Sequence, residues 1–357
     1  MARVPSRLLA LPALVVGLGC VSLVVEADLD EDETTGETTA ETSSGDGNGD
    51  GDGETTGDGD GEGETTTGDG DGDPGPPENF RVAVLADLHV PGPDYEGGEF
   101  GGARDRLLTA RDKIAAIDPP PDFVVVIGDL THDAYGSEDP LWYQTEPNAF
   151  SDVADILAGF PMPVYPVFGD SDYGIPKTTK PFSHLIFAQT FALDPYYSVD
   201  HLGWRFIFSN SQIGQTFDEG TLLYDPSIGS YGDAQLNWIR SELDADLPTV
   251  LFTHFPLFEV QANENQGGAY ADIEAAIADA DRLALILAGH EGTWSELPAT
   301  YAAPHIGFGA TYRDSDNFLL FEFTTEAFQY SILDKNKAEW GGSGAATWVY
   351  QGDPAPG

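Results

Sequence analysis

A chain of 357 residues with 41% apolar content has ample material for one large core or two small ones, so burial does not limit its folding. Its formal charge of −46, from 61 acidic against 15 basic residues, sets up a field that repels polyanions and argues against a nucleic-acid partner. A single cysteine, Cys20, excludes any internal disulfide.

The first twenty residues, MARVPSRLLALPALVVGLGC, run from an Arg-bearing start through a short apolar stretch to small residues. That is the layout of an export signal, too short to span a bilayer as a helix. Cys20 stands at its end, where chemical attachment is the natural use. GLGC resembles a bacterial lipoprotein lipobox, with Gly17 where a larger aliphatic is usual. The resemblance implies cleavage before Cys20, acylation of it and a membrane anchor facing the periplasm or the cell surface. The alternatives are an ordinary secretory signal and an uncleaved anchor; all three place the protein outside the cytoplasm.

Residues 21–79 are a different material. GETT recurs at 36–39, 53–56 and 63–66 among Gly-Asp repeats, and the segment holds 20 acidic residues with no Lys or Arg. Such a chain buries too little apolar surface to order itself. Asp46, Asn48, Asp50 and Gly51 begin like a calcium loop, but the twelfth position is Gly57 and no amphipathic helices flank it. A solvated linker is the better reading, reaching about 40 to 45 Å on average as a flexible coil. The remaining sequence, 80–357, forms one domain with 41 acidic and 13 basic residues, a balance near −28. Small phosphates are repelled as well, unless something positive sits in the site.

In that domain apolar, β-branched runs alternate with helix-like segments, the pattern of an α/β fold. FRVAVLA (80–86) precedes an expected helix across 102–117, and DFVVVIG (122–128) precedes another around 148–159. MPVYPVFG (162–169) leads into an aromatic-rich stretch, expected to be irregular to about 195. WRFIFSN (204–210) leads to a helix over 233–245, where Gln235, Leu236, Trp238, Ile239 and Leu243 have helical spacing. PTVLFT (248–253) and LALILAG (283–289) complete the central strands, and NFLLFEFTT with FQYSILD alternates like an antiparallel pair.

The residues at the carboxyl ends of these runs carry the chemistry. The strand ends release Asp87 and His89, then Asp129, Asp170, His254 and His290. In open α/β sheets, loops at the carboxyl ends of strands converge on one crevice, so these side chains can meet although far apart in sequence. Carboxylates and imidazoles gathered there are either a repulsive acidic pocket or a metal site. Two divalent cations about 3.5 to 4 Å apart, bridged by one carboxylate, resolve the repulsion. A strand-end Asp alone often only caps the next helix, whereas five such ends in order are far more specific.

The order D-x-H, G-D, G-D-S-D, H-x-P and G-H resembles the calcineurin-like metallophosphoesterases, as does DAQLNWIRSELDADLPTVLFTHFPLF leading into the H-x-P block. The likeness covers most of 80 to about 330. It implies two stacked mixed sheets flanked by helices and a phosphoester hydrolase holding one or two divalent ions; oxygen and imidazole donors allow Fe, Mn or Zn. By position, Asp87 and His89 would hold the first ion, Asp129 would bridge, and Asp170, His254 and His290 would hold the second. A phosphoester small molecule is the implied substrate.

Two departures stand out. Where the family has G-N-H this chain has Gly169, Asp170 and Ser171, so an oxygen ligand is kept but the histidine that protonates the leaving group is lost. The family's closing G-H-x-H ends here in Gly292, which leaves the first ion three protein ligands. His132, Glu291 and His305 are the nearest in sequence that could substitute, but an ordinary hydrogen-bonded or solvated role is the better reading of each, and Asp133 reads as a loop cap. His184 and His201 have no motif around them and read as structural. Trp142, Tyr143, Tyr173, Phe182 and Trp294 either line a substrate cleft or pack a lid or core. The competing functional reading is a degenerate relative that keeps the fold and serves as a surface binding or structural module.

Overall fold

The computed structural model of the chain describes residues 79–260, 273–277, 280–297, 303–325 and 329–334. The expected signal, Cys20 and the acidic linker up to residue 78 lie outside them. In chain order, β1 (Asn79–Ala86) leads through β2 (Val90–Pro91) to α1 (Ala103–Ala115), β3 (Phe123–Ile127), β4 (Thr131–His132), α2 (Trp142–Thr145), α3 (Ala149–Leu157) and β5 (Val164–Val167). Then come α4 (Lys180–Phe191), β6 (Tyr197–His201), β7 (Trp204–Phe208), α5 (Gly232–Leu243), β8 (Thr249–Thr253), α6 (Ile273–Ile277) and β9 (Leu283–Ala288). β10 (Ser295–Leu297), β11 (His305–Gly307), β12 (Phe318–Thr324) and β13 (Tyr330–Asp334) complete the series.

The larger strands form two mixed sheets, one in the order β13-β12-β1-β3-β5 and the other β10-β11-β9-β8-β7-β6. β1, β3 and β5 are mutually parallel, as are β7, β8, β9 and β11, with antiparallel strands at the margins. Period-two alternation assigns each strand residue to a layer. Val82, Val84, Phe123, Val125 and Ile127 meet Phe206, Phe208, Val250, Phe252 and Leu287 between the sheets. The residues in between, Ala83, Leu85, Val124 and Val126 on one sheet and Ile207 and Leu251 on the other, face helices. These faces take Leu107, Ala110 and Ile114 of α1, Val153 and Ile156 of α3, and Leu236 and Ile239 of α5. Each of these side chains larger than alanine contributes about 1.5–3 kcal/mol by burial, and near-continuous apolar runs are what strands covered on both faces require. Pro166 breaks no ladder because β5 is an edge strand.

Two elements correct the sequence expectation. The stretch expected to be irregular to about 195 contains α4, whose start is marked by Thr179 Oγ1 accepting from Phe182 N at 3.3 Å and by Pro181 in the first turn. Its buried residues Ser183, Ile186 and Phe187 have helical spacing, and Ala192 at φ 55° ends it. β6 pairs with β7 through a two-residue turn, Leu202 (φ 45°) and Gly203 (φ 81°). Positive φ at both positions is the turn chemistry that matches strand twist, but Leu in place of Asn or Asp conceals the signal. Among the described residues no helix is long and apolar enough to cross a membrane.

Candidate metal centre

β1, β3, β5, β8 and β9 all deliver their outgoing loops to one end of the sheets. The backbone there is strained: Asp87 (φ 52°), His89 (44°), Asp129 (49°) and His290 (70°) all lie in the left-handed region. Each costs about 1–3 kcal/mol and persists only where the surroundings over-determine it. The restraints are visible. His89 N donates to Asp129 O at 2.8 Å, Tyr312 N to Asp87 O at 3.1 Å, and Gly289 N to His254 O at 3.0 Å. Asp172, fully buried, accepts from Leu130 N (3.1 Å), Thr131 N (2.9 Å), Thr131 Oγ1 (3.0 Å) and Gly169 N (2.9 Å), tying the β3 and β5 loops together.

Glycine is required where these loops touch. A Cβ on Gly128 would lie 2.2 Å from His254 Nδ1, and one on Gly169 would lie 2.0 Å from Asp129 N. Gly169→Ala is therefore expected to destabilise the domain by about 1–3 kcal/mol and to weaken metal binding by displacing Asp129. Thermal unfolding and metal titration of the variant check this.

All six expected ligand residues meet in two donor sets that share Asp129. One is Asp87, His89 and Asp129; the other is Asp129, Asp170, His254 and His290, with donor atoms in each set within 4.8 Å of one another. Asp129 Oδ2 lies 3.0 Å from His89 Nε2, while its Oδ1 lies 3.3 Å from His254 Nε2. Asp170 Oδ1 contacts His254 Nε2 at 2.9 Å and His290 Nδ1 at 3.1 Å. His290 N also donates to Asp87 Oδ1 at 2.9 Å. Sequence reasoning missed Glu259, whose Oε2 lies 3.9 Å from His290 Nε2. That oxygen is buried and has no hydrogen-bond partner among the described residues, and nothing in HFPLFE marks its approach to His290.

Electrostatics fit a cation. Burial works to raise the Asp129 carboxyl, yet the His254 and His89 imidazoles outweigh it and hold it well below the usual range. Burial works to lower His254, and the Asp129 and Asp170 carboxylates raise it well above 6.5 instead. Burial, with His254 opposing, pushes Asp87 up to about 6. Asp87 Oδ2 and His89 Nδ1 are buried, and among the described residues neither has a hydrogen-bond partner. Protons on imidazoles here do the work a divalent ion would do, and the oxygen and nitrogen donors suit Fe, Mn or Zn.

These shifts set the pH dependence of the metal-free domain. Asp87, raised from 3.8, adds no penalty at low pH and the full penalty above about 6, about 3 kcal/mol. His254 contributes stability that is fully present below 6.5 and lost as pH rises through its folded value. Asp129 contributes stability present above 3.8 and lost as pH falls through its lowered value. Added Mn²⁺, which relieves the charge crowding at Asp87 and needs its ligands deprotonated, should therefore raise Tm more at about pH 8 than at about pH 5. Equal Tm gains at both values would contradict this.

The other candidates are placed elsewhere. Ser171 offers its backbone N to Asp129 Oδ1 at 2.8 Å. His132 packs against Phe100, ring centres 4.1 Å apart, and stands outside both donor sets. Asp133 pairs with Lys177. Glu291 is exposed; burial, then hydrogen bonding and repulsion from Glu291, lift Glu259 to about 7. His305 is buried in β11, and burial pushes it down to about 4. Tyr173 takes a hydrogen bond from Asn210 Nδ2 (2.9 Å) and so donates its own to His184 Nε2 (2.7 Å), a structural role for both. His201 faces Asp122 at 3.5 Å and Phe80, in the body of the sheets. Trp142, Tyr143 and Phe182 pack with Phe150 and Ile186, and Trp294 packs on Phe308. The aromatic rings that do border the centre are Phe100 and Tyr312, 4.6 and 4.9 Å from His89, and Phe255, 4.0 Å from His290.

Comparison with known proteins agrees with this geometry. Residues 80–293 match the family model of the calcineurin-like phosphoesterases. No curated protein matches the chain. A dimetal phosphatase from Danio rerio is 14% identical with a TM-score of 0.52, covering 76% of this chain and 99% of its own. The GAP50 anchor in the inner membrane complex of Plasmodium is 15% identical with a TM-score of 0.46, covering 77% and 89%. A purple acid phosphatase from yellow lupin (Lupinus luteus) seeds is 15% identical with a TM-score of 0.47, covering 74% and 53%. At 14% identity the likeness to the Danio rerio protein speaks for the fold, and the family match over 80–293 speaks for descent: the chain belongs to the calcineurin-like phosphoesterase family of metal-dependent phosphoester hydrolases.

Proposed function

We propose that the chain is an exported hydrolase of phosphomonoesters or phosphodiesters, anchored through Cys20 and held off the membrane by the acidic linker. The observation that carries the catalytic reading is the Asp129 carboxylate, which turns one oxygen to His89 and the other to His254 and so belongs to both donor sets. Asp87 and His89 would hold a first divalent ion with Asp129, and Asp170, His254 and His290 a second. Bound Fe, Mn or Zn would supply positive charge for the phosphoryl oxygens and lower the pKa of a water for in-line attack. Asp170 gives a hard oxygen donor in place of an amide and adds a negative charge, which strengthens cation retention. Ser171 orients Asp129 through its backbone N–H, but its hydroxyl is too weak an acid to protonate a leaving group.

Metal analysis of the purified domain, with turnover of an aryl phosphate under added Mn²⁺ or Zn²⁺, tests the reading. Stoichiometric metal with turnover is the expected result. Bound metal without turnover of an aryl phosphate or a bis-aryl phosphodiester would favour the second reading, a binding module, for which Ser171 and Gly292 speak. The anchor is tested separately, by fatty-acid labelling of the full chain that disappears in Cys20→Ser.

A further inference from the structure

The two donor sets are unequal, three residues against four, and a cation of the chain's own stands beside the poorer one. Gly292, at φ 58°, has no side chain; a Cβ there would lie 3.5 Å from both Cζ and Nη1 of Arg313. Arg313 Nη1 donates to Gly292 O at 3.0 Å, and Arg313 Nε donates to Tyr312 Oη at 3.0 Å. Tyr312 Oη in turn donates to Glu99 Oε1 at 2.6 Å, so the Glu99 carboxylate fixes the hydroxyl that receives the guanidinium. The same Tyr312 ring stands edge-on to His89, and Tyr312 N is bonded to Asp87 O. The guanidinium thus spans the loop that carries His290 and the segment packed on His89, at the rim of the three-residue set. In a domain with 41 acidic and 13 basic residues, a cation held at this point is not background.

We propose that Arg313 is a substrate-binding residue that contacts the non-bridging oxygens of the phosphoryl group and favours phosphomonoesters over phosphodiesters. The assignment rests on the phosphoester-hydrolase reading above. A guanidinium stays charged at any working pH and binds paired phosphate oxygens with directed N–H groups. A monoester dianion offers it one more charged oxygen than a diester. Its positive charge also attracts phosphate beside the set with fewer ligands without drawing on a metal.

The experiment compares the Mn²⁺-loaded domain with Arg313→Ala and Arg313→Lys, titrating inorganic phosphate calorimetrically, counting bound metal, and measuring turnover of an aryl phosphate and a bis-aryl phosphodiester. Arg313 is exposed, so its truncation leaves the core intact. Expected are unchanged metal content, a loss of phosphate affinity of about 10- to 100-fold in Arg313→Ala, partial recovery in Arg313→Lys, and a larger loss on the monoester than on the diester. Phosphate affinity within twofold of the parent, a fall in metal content, or equal losses on both esters would overturn the assignment alone. Failure of the parent domain to bind phosphate or turn over either ester would instead overturn the hydrolase reading, and this assignment with it.

Discussion

Asp129→Ala is expected to abolish ester hydrolysis, by at least about 10³-fold, and to strip metal from both donor sets together. Loss of Asp87 or His290 would cost one set. Asp129 is shared, so its removal leaves two donors in one set and three in the other, with His89 and His254 both deprived of the carboxylate that faces them. The metal-free domain should suffer as well, because His254 is fully buried and its protonated form would lose the carboxylate that faces it: breaking such a pair costs about 3–5 kcal/mol. Asp129→Asn separates the two effects, because the amide preserves shape and can still accept from Ser171 N. It should recover part of the metal-free stability and little of the metal affinity. Calorimetric Mn²⁺ titration, metal analysis and thermal unfolding read all three quantities. Undiminished metal content in Asp129→Ala would mean that Asp129 holds neither ion.

Much of this was legible because the fold uses simple rules at the relevant places. Strands covered on both faces must be apolar throughout, so β1, β3, β8 and β9 stand out in the sequence, and the residues just after them are by geometry at one end of the sheets. The helix α4 was hidden because its buried stripe, Ser183, Ile186 and Phe187, contains a polar residue and a single aliphatic instead of a run of aliphatics. The β6–β7 turn was hidden because Leu202 adopts a conformation its side chain disfavours. Around the centre, residues that act through loops of no fixed spacing were invisible. Glu259 reaches His290 across the turn after Pro256, and Arg313 reaches Gly292 from the far side of β11; only tertiary structure joins either pair. Asp172 shows the converse. It stands among the strand-end acids in sequence, yet its carboxylate is consumed by three backbone N–H groups and Thr131, so it builds the centre without belonging to it.

Ser171→His is expected to raise turnover of alkyl phosphates by about 10²- to 10⁴-fold while changing aryl phosphates only a few-fold. The leaving group decides the difference. An alkoxide leaves badly unless a proton reaches its oxygen as the bond to phosphorus breaks, whereas a phenolate leaves unaided. In this chain the loop Asp170–Asp172 puts a serine at the position, half-buried at the edge of the second donor set. Its one service to the centre is the backbone N–H held by Asp129 Oδ1, and any residue except proline keeps that. An imidazole added there would stand at the edge of the second donor set, and a side chain that titrates near neutral pH can give a proton to the leaving oxygen where a serine hydroxyl cannot. Metal content should be unchanged, since Ser171 lies outside both donor sets. The decisive quantity is the ratio of alkyl to aryl turnover at fixed metal loading. A ratio that rises steeply identifies proton delivery as the missing function; a ratio that stays constant, with metal bound, means that the leaving group is protonated by another group or that bond cleavage does not limit the rate.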